Sequence, residues 1–96
     1  MNVARANMTA TLAPNGNVLV AGGDSSVGGA GFSSTELYTA STDTFAATNT
    51  VSLSIFRALP TATLLTNGQV LIAGGFTGPP SSAPSGTTNT TDLYTP

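Results

Sequence analysis

The chain has 96 residues, of which 40% are apolar and only 6% are charged, and its net charge is −2. This length allows one small domain, and because no basic cluster and no apolar run of about 18 residues occurs, we expect no nucleic-acid partner and no membrane span. The sequence contains no cysteine and no histidine, which excludes disulfides and the common thiolate and imidazole metal sites.

The first half of the chain contains four short segments that favour β-strands, residues 8–13, 17–21, 34–39 and 44–48. The pair Asn15-Gly16 joins the first two, and it favours a tight type I′ hairpin turn because Asn and Gly accept positive φ angles. Gly22-Gly23 ends the second strand in a backbone conformation closed to other residues. Asp43 lies in the turn before the fourth strand, where it tolerates a left-handed conformation.

The second half repeats this pattern 52 residues later, with predicted strands at residues 60–66, 69–73 and 90–95. Asn67-Gly68 and Gly74-Gly75 are the counterparts of the earlier pairs. The third strand recurs 56 residues later instead, because the loop at residues 76–89 is longer than its counterpart. Prolines and small polar residues fill that loop, so we expect it to be mobile and to tolerate shortening.

A repeat of about 50 residues with four strands is typical of a β-propeller blade. We therefore predict an all-β fold of two four-stranded antiparallel meanders, of which the second is incomplete because it lacks its fourth strand. The first repeat covers residues 1–54 and the second covers residues 55–96 of one partial propeller.

Both units share one motif: an arginine, an Ala-Thr-Leu strand, an Asn-Gly turn, a strand ending in Ala-Gly-Gly, an acidic-Leu-Tyr strand and, in the first unit only, an aromatic strand. The residues that carry it are Arg5, 10–12, 15–16, 18–23, 36–38 and Phe45 in the first unit, and Arg57, 62–64, 67–68, 70–75 and 92–94 in the second. The motif resembles the kelch repeats of the galactose oxidase/kelch propeller superfamily, in the form common in bacterial proteins. The resemblance implies two blades of a kelch-like β-propeller. The chain departs from it at Phe45, where tryptophan is usual, and at Met8 and Pro60, where histidine is frequent.

The charged side chains are few: Arg5, Asp24, Glu36, Asp43, Arg57 and Asp92. General acid–base catalysis at neutral pH needs a titratable group that this set does not offer. Copper chemistry like that of galactose oxidase needs histidine ligands, which Tyr38 and Tyr94 cannot replace. We expect no enzymatic activity, no metal and no cofactor for this chain by itself.

Four of these six charges occupy equivalent positions in the two units, Arg5 with Arg57 and Glu36 with Asp92. One interpretation makes the arginines ligand contacts on the propeller rim. We favour the other, in which each arginine pairs with the nearby carboxylate or caps carbonyls at a strand end. The remaining structural motif positions are expected to pack between blades: Gly22, Gly23, Tyr38, Phe45, Gly74, Gly75 and Tyr94.

The irregular loops are expected on one face, because strands in a meander alternate in direction. They are residues 24–33, 49–57 and 76–89, and the candidate contacts to a partner are Asp24, Phe32, Phe56 and Phe76. The leading hypothesis is a non-catalytic binding or scaffold module for a protein or a glycan. An alternative is a blade pair from a larger secreted carbohydrate-active or galactose oxidase-like enzyme whose catalytic residues lie outside this chain. A third is a fragment that does not fold alone.

Two blades cannot close a ring, so we predict further blades in the same chain or head-to-tail self-association. One apolar face of each unit would otherwise stay uncovered, and Val18, Val20, Val70 and Ile72 are the residues expected there. The chain shows no signal peptide, although its Thr- and Ser-rich composition is compatible with a secreted or cell-surface parent protein. The compartment is left open.

Overall fold

The computed structural model describes residues 1–24, 31–47, 52–77 and 87–95, which form two antiparallel sheets and, within these ranges, no helix. The first sheet has four strands in sequence order, β1 (Thr9–Leu12), β2 (Val18–Ala21), β3 (Thr35–Thr39) and β4 (Thr44–Ala47). The second has three, β5 (Thr61–Leu64), β6 (Val70–Ala73) and β7 (Thr91–Tyr94). The all-β class and the antiparallel meanders are confirmed. Within the described ranges the first sheet has four strands and the second has three, so a fourth strand is observed only in the first.

The pairing register of the two sheets is the same. In the first sheet Val20 lies opposite Ala10 on one side and Glu36 on the other. The equivalent Ile72 lies opposite Ala62 and Asp92. The repeat in sequence is therefore a repeat in structure, residue by residue, across three strands.

The hairpin turns differ from the type I′ turn that the Asn-Gly pairs favoured. Gly16 has a φ of 85°, but Asn15 has no positive φ. Gly16 N donates to Ala13 O at 3.0 Å, which makes a type I turn followed by a left-handed glycine. The Asn15 side chain accepts a hydrogen bond from Asn17 N at 3.0 Å, and this local contact holds the asparagine without a positive φ. The second hairpin is built in the same way.

One apolar core lies between the two sheets. Its side chains are almost fully buried, and they are Leu19, Ala21, Leu53, Val70, Ile72 and Tyr94, with Ala62 packed against them. Because side chains alternate along a strand, β2 and β6 contribute opposite faces to this core. Val18 on β2 and Leu71 on β6 therefore lie on the two outer faces.

The expectation about uncovered side chains was wrong for Val70 and Ile72, whereas Val18 and Val20 lie on the outer face of the first sheet, where they line an open cleft. Val70 and Ile72 are fully buried because they face the first sheet, and Val20 is buried as well. Val18 is half-buried. The uncovered face of the second sheet is the opposite one, where Leu93 is 53% exposed.

The segment at residues 53–59 lies along the edge of the first sheet, and we call it the docking segment. Four backbone hydrogen bonds hold it, from Gly23 N to Arg57 O, Arg57 N to Phe32 O, Leu53 N to Ser33 O and Leu59 N to Asn7 O. Leu53 also enters the core, where it is 3% exposed. The docking segment spans the predicted boundary between the two repeats at residues 54 and 55, and it packs against both units.

Several predicted features fall outside the described residues. They are most of the loops at residues 24–31 and 76–89 and the connection at residues 48–51. The mobility of the second loop stays a prediction. Among the described residues, no helix has the length and apolar character needed to cross a membrane.

Candidate functional site

The Arg57 side chain is fully buried, with an exposure of 0%. Its Nη1 donates to Gly74 O and to Thr90 O, both at 2.9 Å. Its Nη2 donates to Thr90 Oγ1 at 3.1 Å and to Asp92 Oδ2 at 2.8 Å. Asp92 in turn accepts hydrogen bonds from Ser54 N and Ser54 Oγ at 3.0 and 3.1 Å. One arginine therefore joins the docking segment to the ends of β6 and β7.

Arg5 makes the equivalent contacts in the first unit. Its Nε donates to Glu36 Oε2 at 3.0 Å, and its Nη1 donates to Gly22 O at 2.9 Å and Ser34 O at 3.2 Å. Glu36 also accepts a hydrogen bond from Asn2 N, as Asp92 does from Ser54 N. Both contacts expected of the arginines, the ion pair and the carbonyl cap, are thus present in both units.

The Glu36 carboxyl stays charged despite its burial. Burial by itself would raise its pKa, but hydrogen bonds from Asn2 N and from the Arg5 side chain, with the Arg5 charge, outweigh burial and lower the pKa below 4.5. A carboxyl whose pKa is lowered by folding stabilises the fold above its unfolded pKa. That contribution is lost as the pH falls through the lower, folded pKa.

The two arginine sites differ in the hydrogen bonding of the arginine Nε. Arg57 Nε is buried without a hydrogen-bond partner, whereas Arg5 Nε donates to Glu36. Aspartate is one methylene shorter than glutamate, so Asp92 reaches Nη2 and leaves Nε unpaired. An unpaired buried donor costs about 1–3 kcal/mol.

Replacing Asp92 with glutamate is therefore expected to increase the free energy of unfolding by about 1 kcal/mol, because the longer side chain gives Arg57 Nε the partner that Glu36 gives Arg5. Urea unfolding followed by circular dichroism measures the change. The matched control is Glu36→Asp, which is expected to lower the free energy of unfolding by a similar amount. Destabilisation by Asp92→Glu would contradict this account of the unpaired donor.

The first glycine of each pair has a different environment in the two units. Gly22 has a φ of 67°, and a Cβ atom there would lie 2.5 Å from Arg57 O. Gly74 has a φ of 69°, yet the nearest atom to its Cβ would be Thr88 O at 3.8 Å. Gly22 is thus crowded by the docking segment. Among the described residues, no atom crowds Gly74, since a Cβ atom there would have only an ordinary contact with Thr88 O.

The motif aromatics occupy two places. Tyr94 is buried in the core between the sheets. Tyr38 and Phe45 pair across β3 and β4 on the outer face of the first sheet, with ring centroids 5.1 Å apart. Tyr38 OH donates to Asp43 Oδ1 at 2.8 Å, and this hydrogen bond raises the pKa of Tyr38. Asp43 has a φ of 53°, so its predicted left-handed conformation is confirmed.

Asp24, a candidate partner contact, is only 2% exposed. Its carboxylate accepts hydrogen bonds from Asn7 Nδ2 at 3.1 and 3.4 Å. Its backbone pairs with Ala6 on one side and Gly31 on the other. The Asp24 side chain is therefore engaged within its own unit. Within the described ranges, no three Asp, Glu, His or Cys side chains cluster as a metal site would require.

The three phenylalanines proposed as partner contacts differ in exposure. Phe32 is half-buried beneath the Arg5 guanidinium, 5.0 Å from the ring centroid, at the distance of a cation–π contact. Phe76 is half-buried and pairs through its backbone with Ala58. Phe56 is 41% exposed. Phe56 is thus the candidate aromatic most accessible to a partner.

Two open clefts lie away from these side chains. A cleft of about 270 Å³ separates the hairpin turns of the two units, and its lining residues are Pro14, Asn15, Asn67, Gly68, Gln69 and Thr95. A second of about 360 Å³ lies on the outer face of the first sheet, lined by Met1, Met8, Ala10, Val18, Val20, Tyr38 and Phe45. The second cleft is apolar and aromatic throughout.

No protein-family model matches the chain, and no curated protein matches it significantly.

The sequence did not identify three residues that hold the units together. Leu53 was placed in a connecting stretch, although it is a core residue. Asn7 and Leu59 share a positive φ of 54° at equivalent positions, and Leu59 N donates to Asn7 O. The repeat offered the means to find them, since residues 53–59 are the counterpart of residues 1–7.

Proposed function

We propose that the chain is a non-catalytic binding or scaffold module, a two-blade piece of a kelch-like β-propeller that presents its loop edge to a protein partner. The observation that carries the proposal is the packing of two equivalent sheets face to face around one core. In a propeller, four-stranded sheets are arranged around a central channel, so that neighbouring blades lie side by side. The close contact between β1 and β5 supports such an arrangement.

The loop edge is the set of described residues at which the irregular segments meet, 22–24, 31–34, 53–59, 74–77 and 87–90. The backbone bonds of the docking segment to Phe32 and Ser33 bring loops of both units together there. Phe56 and Leu59 expose 41% and 56% of their surface on this edge. Exposed aromatic and aliphatic side chains on a rigid frame favour a protein partner, since aromatic residues are enriched where proteins bind one another.

Selection against a phage-displayed peptide library tests this proposal, with a glycan array as the parallel probe. We expect enriched peptides to bind the intact chain and to lose at least tenfold in affinity for Phe56→Ala. The matched control is Leu12→Ala, which removes an exposed leucine at the opposite edge and is expected to leave binding unchanged.

Two outcomes would contradict the proposal. One is binding to a glycan with no binding to any peptide, which would make the partner a glycan instead of a protein. The other is peptide binding that Leu12→Ala abolishes and Phe56→Ala preserves, which would move the binding surface to the hairpin edge.

A further inference from the structure

We infer that the second unit of one chain docks on the first unit of another copy, through the same interface that joins the two units within one chain. The partner is a second copy of this chain, in a head-to-tail arrangement. The inference rests on the packing between the two sheets. It shares backbone groups with the loop edge, but its test changes side chains on the sheet faces and is read by the size of the assembly, so it is decided separately from peptide binding.

The outer faces of the two sheets are equivalent, through the repeat, to the two inner faces that already pack on each other inside the chain. Within the chain, Val70 and Ile72 of the second sheet pack against Leu19 of the first. Their equivalents on the outer face of the first sheet are Val18 and Val20, which line the apolar cleft. The equivalent of Leu19 on the outer face of the second sheet is Leu71. Each copy therefore carries two uncovered surfaces that match each other, the face of the first sheet with Val18 and Val20 and the face of the second sheet with Leu71.

Residues that are buried in the interface inside the chain have exposed equivalents on the two outer faces. Leu53 is 3% exposed in the core, but its counterpart Met1 is 50% exposed beside the cleft. Leu37 is half-buried in the first sheet, whereas its counterpart Leu93 is 53% exposed. Each of the two outer faces would regain the missing burial by packing on the other.

The backbone edges are complementary as well. The docking segment is held by Gly23 N, Phe32 O and Asn7 O of the first unit. The equivalent groups of the second unit are Gly75 N, Thr88 O and Leu59 O, and none of them has a hydrogen-bond partner among the described residues.

Residues 1–7 offer the matching groups, because they are the counterpart of the docking segment. Arg5 O, Arg5 N and Asn7 N correspond to Arg57 O, Arg57 N and Leu59 N, and in the described part of the chain they too lack partners. A donor on one edge therefore meets an acceptor on the other at all three positions, in the register of the existing interface.

The absence of a close neighbour at Gly74 among the described residues fits the same arrangement. Gly22 accommodates Arg57 O at 2.5 Å from the position of a Cβ atom. In a head-to-tail pair, Arg5 O of the second copy would take that place at Gly74. A head-to-tail contact whose rotation does not close gives filaments, and one whose rotation closes gives a ring. A ring of about three or four copies would have the six or eight blades of common propellers.

Complementation between two variants tests the inference. Val18→Lys places a charge on the outer face of the first sheet, and Leu71→Lys places one on the outer face of the second. Each variant keeps one intact half. Light scattering after size-exclusion chromatography is expected to show a species larger than a dimer for the unaltered chain and monomers of 9.5 kDa for each variant. An equimolar mixture of the variants is expected to give a dimer that grows no further.

A two-fold symmetric contact gives a different result, because one variant alone would then still dimerise. That outcome would overturn the inference, as would an unaltered chain that stays monomeric at high concentration. Circular dichroism verifies that each variant is folded. If either is not, Met8→Lys and Leu93→Lys, both at more exposed positions on the same two faces, replace it with the same expected results.

Discussion

Replacing Gly22 with alanine is expected to lower the free energy of unfolding by about 3 kcal/mol. A Cβ atom at this position would lie 2.5 Å from Arg57 O, and backbone atoms cannot move aside as a flexible side chain can. Alanine at a φ of 67° adds strain of about 1–2 kcal/mol. The crowding comes on top of it and costs about 1–3 kcal/mol.

Gly74→Ala is the matched control, because its φ of 69° is nearly the same while the nearest described atom to its Cβ, Thr88 O, is at 3.8 Å. We expect it to cost only the backbone strain, about 1 kcal/mol. Both substitutions are made in the Val18→Lys chain, so that association does not contribute, and urea unfolding is followed by circular dichroism. Equal losses at the two glycines would contradict the close approach of the docking segment to Gly22.

Replacing Arg57 with alanine is also expected to lower the free energy of unfolding by about 3 kcal/mol. The change leaves Gly74 O, Thr90 O and the Asp92 carboxylate without the guanidinium that they share, in a site where Arg57 is fully buried. Removing one partner of a buried ion pair is costly because the other charge stays behind unpaired.

Arg5→Ala is the comparison for this prediction. The Arg5 side chain is also 0% exposed, and the side chain of its partner Glu36 is 2% exposed against 17% for Asp92, so we expect a loss of about 3 kcal/mol here too. Thermal and urea unfolding measure both variants. An Arg57→Ala chain with unchanged unfolding and lost peptide binding would show that the arginine contacts a partner instead of supporting the fold.

The strands and their pairing followed from the sequence because local patterns determine them. The seven predicted strands are observed, each one to three residues shorter in total than predicted, since apolar alternation and the Asn-Gly and Gly-Gly pairs define where a strand starts and stops. The repeat then placed Arg5 and Arg57 against equivalent carboxylates. The turn type did not follow, because Asn15 accepts either a positive or a negative φ and its side-chain hydrogen bond to Asn17 N decides between them.

The packing between the units was harder to predict, because alternation shows that a strand has two faces but not which face meets which neighbour. Val70 and Ile72 were expected on the uncovered side and lie in the core, whereas Leu71 lies outside. Asp24 was expected at a partner surface, and its burial depends on Asn7, which no local pattern connects with it. Contacts between distant segments of the chain determine these features.

The central claim is that the two sheets pack face to face as neighbouring units of one repeat. Nuclear Overhauser effects between methyl groups test it most directly, in the Val18→Lys chain labelled at its Leu, Val and Ile methyls. The account predicts cross-peaks from Leu19 and Leu53 to Val70 and Ile72, because these side chains share one core. Cross-peaks within each sheet with none between these methyl groups would contradict it.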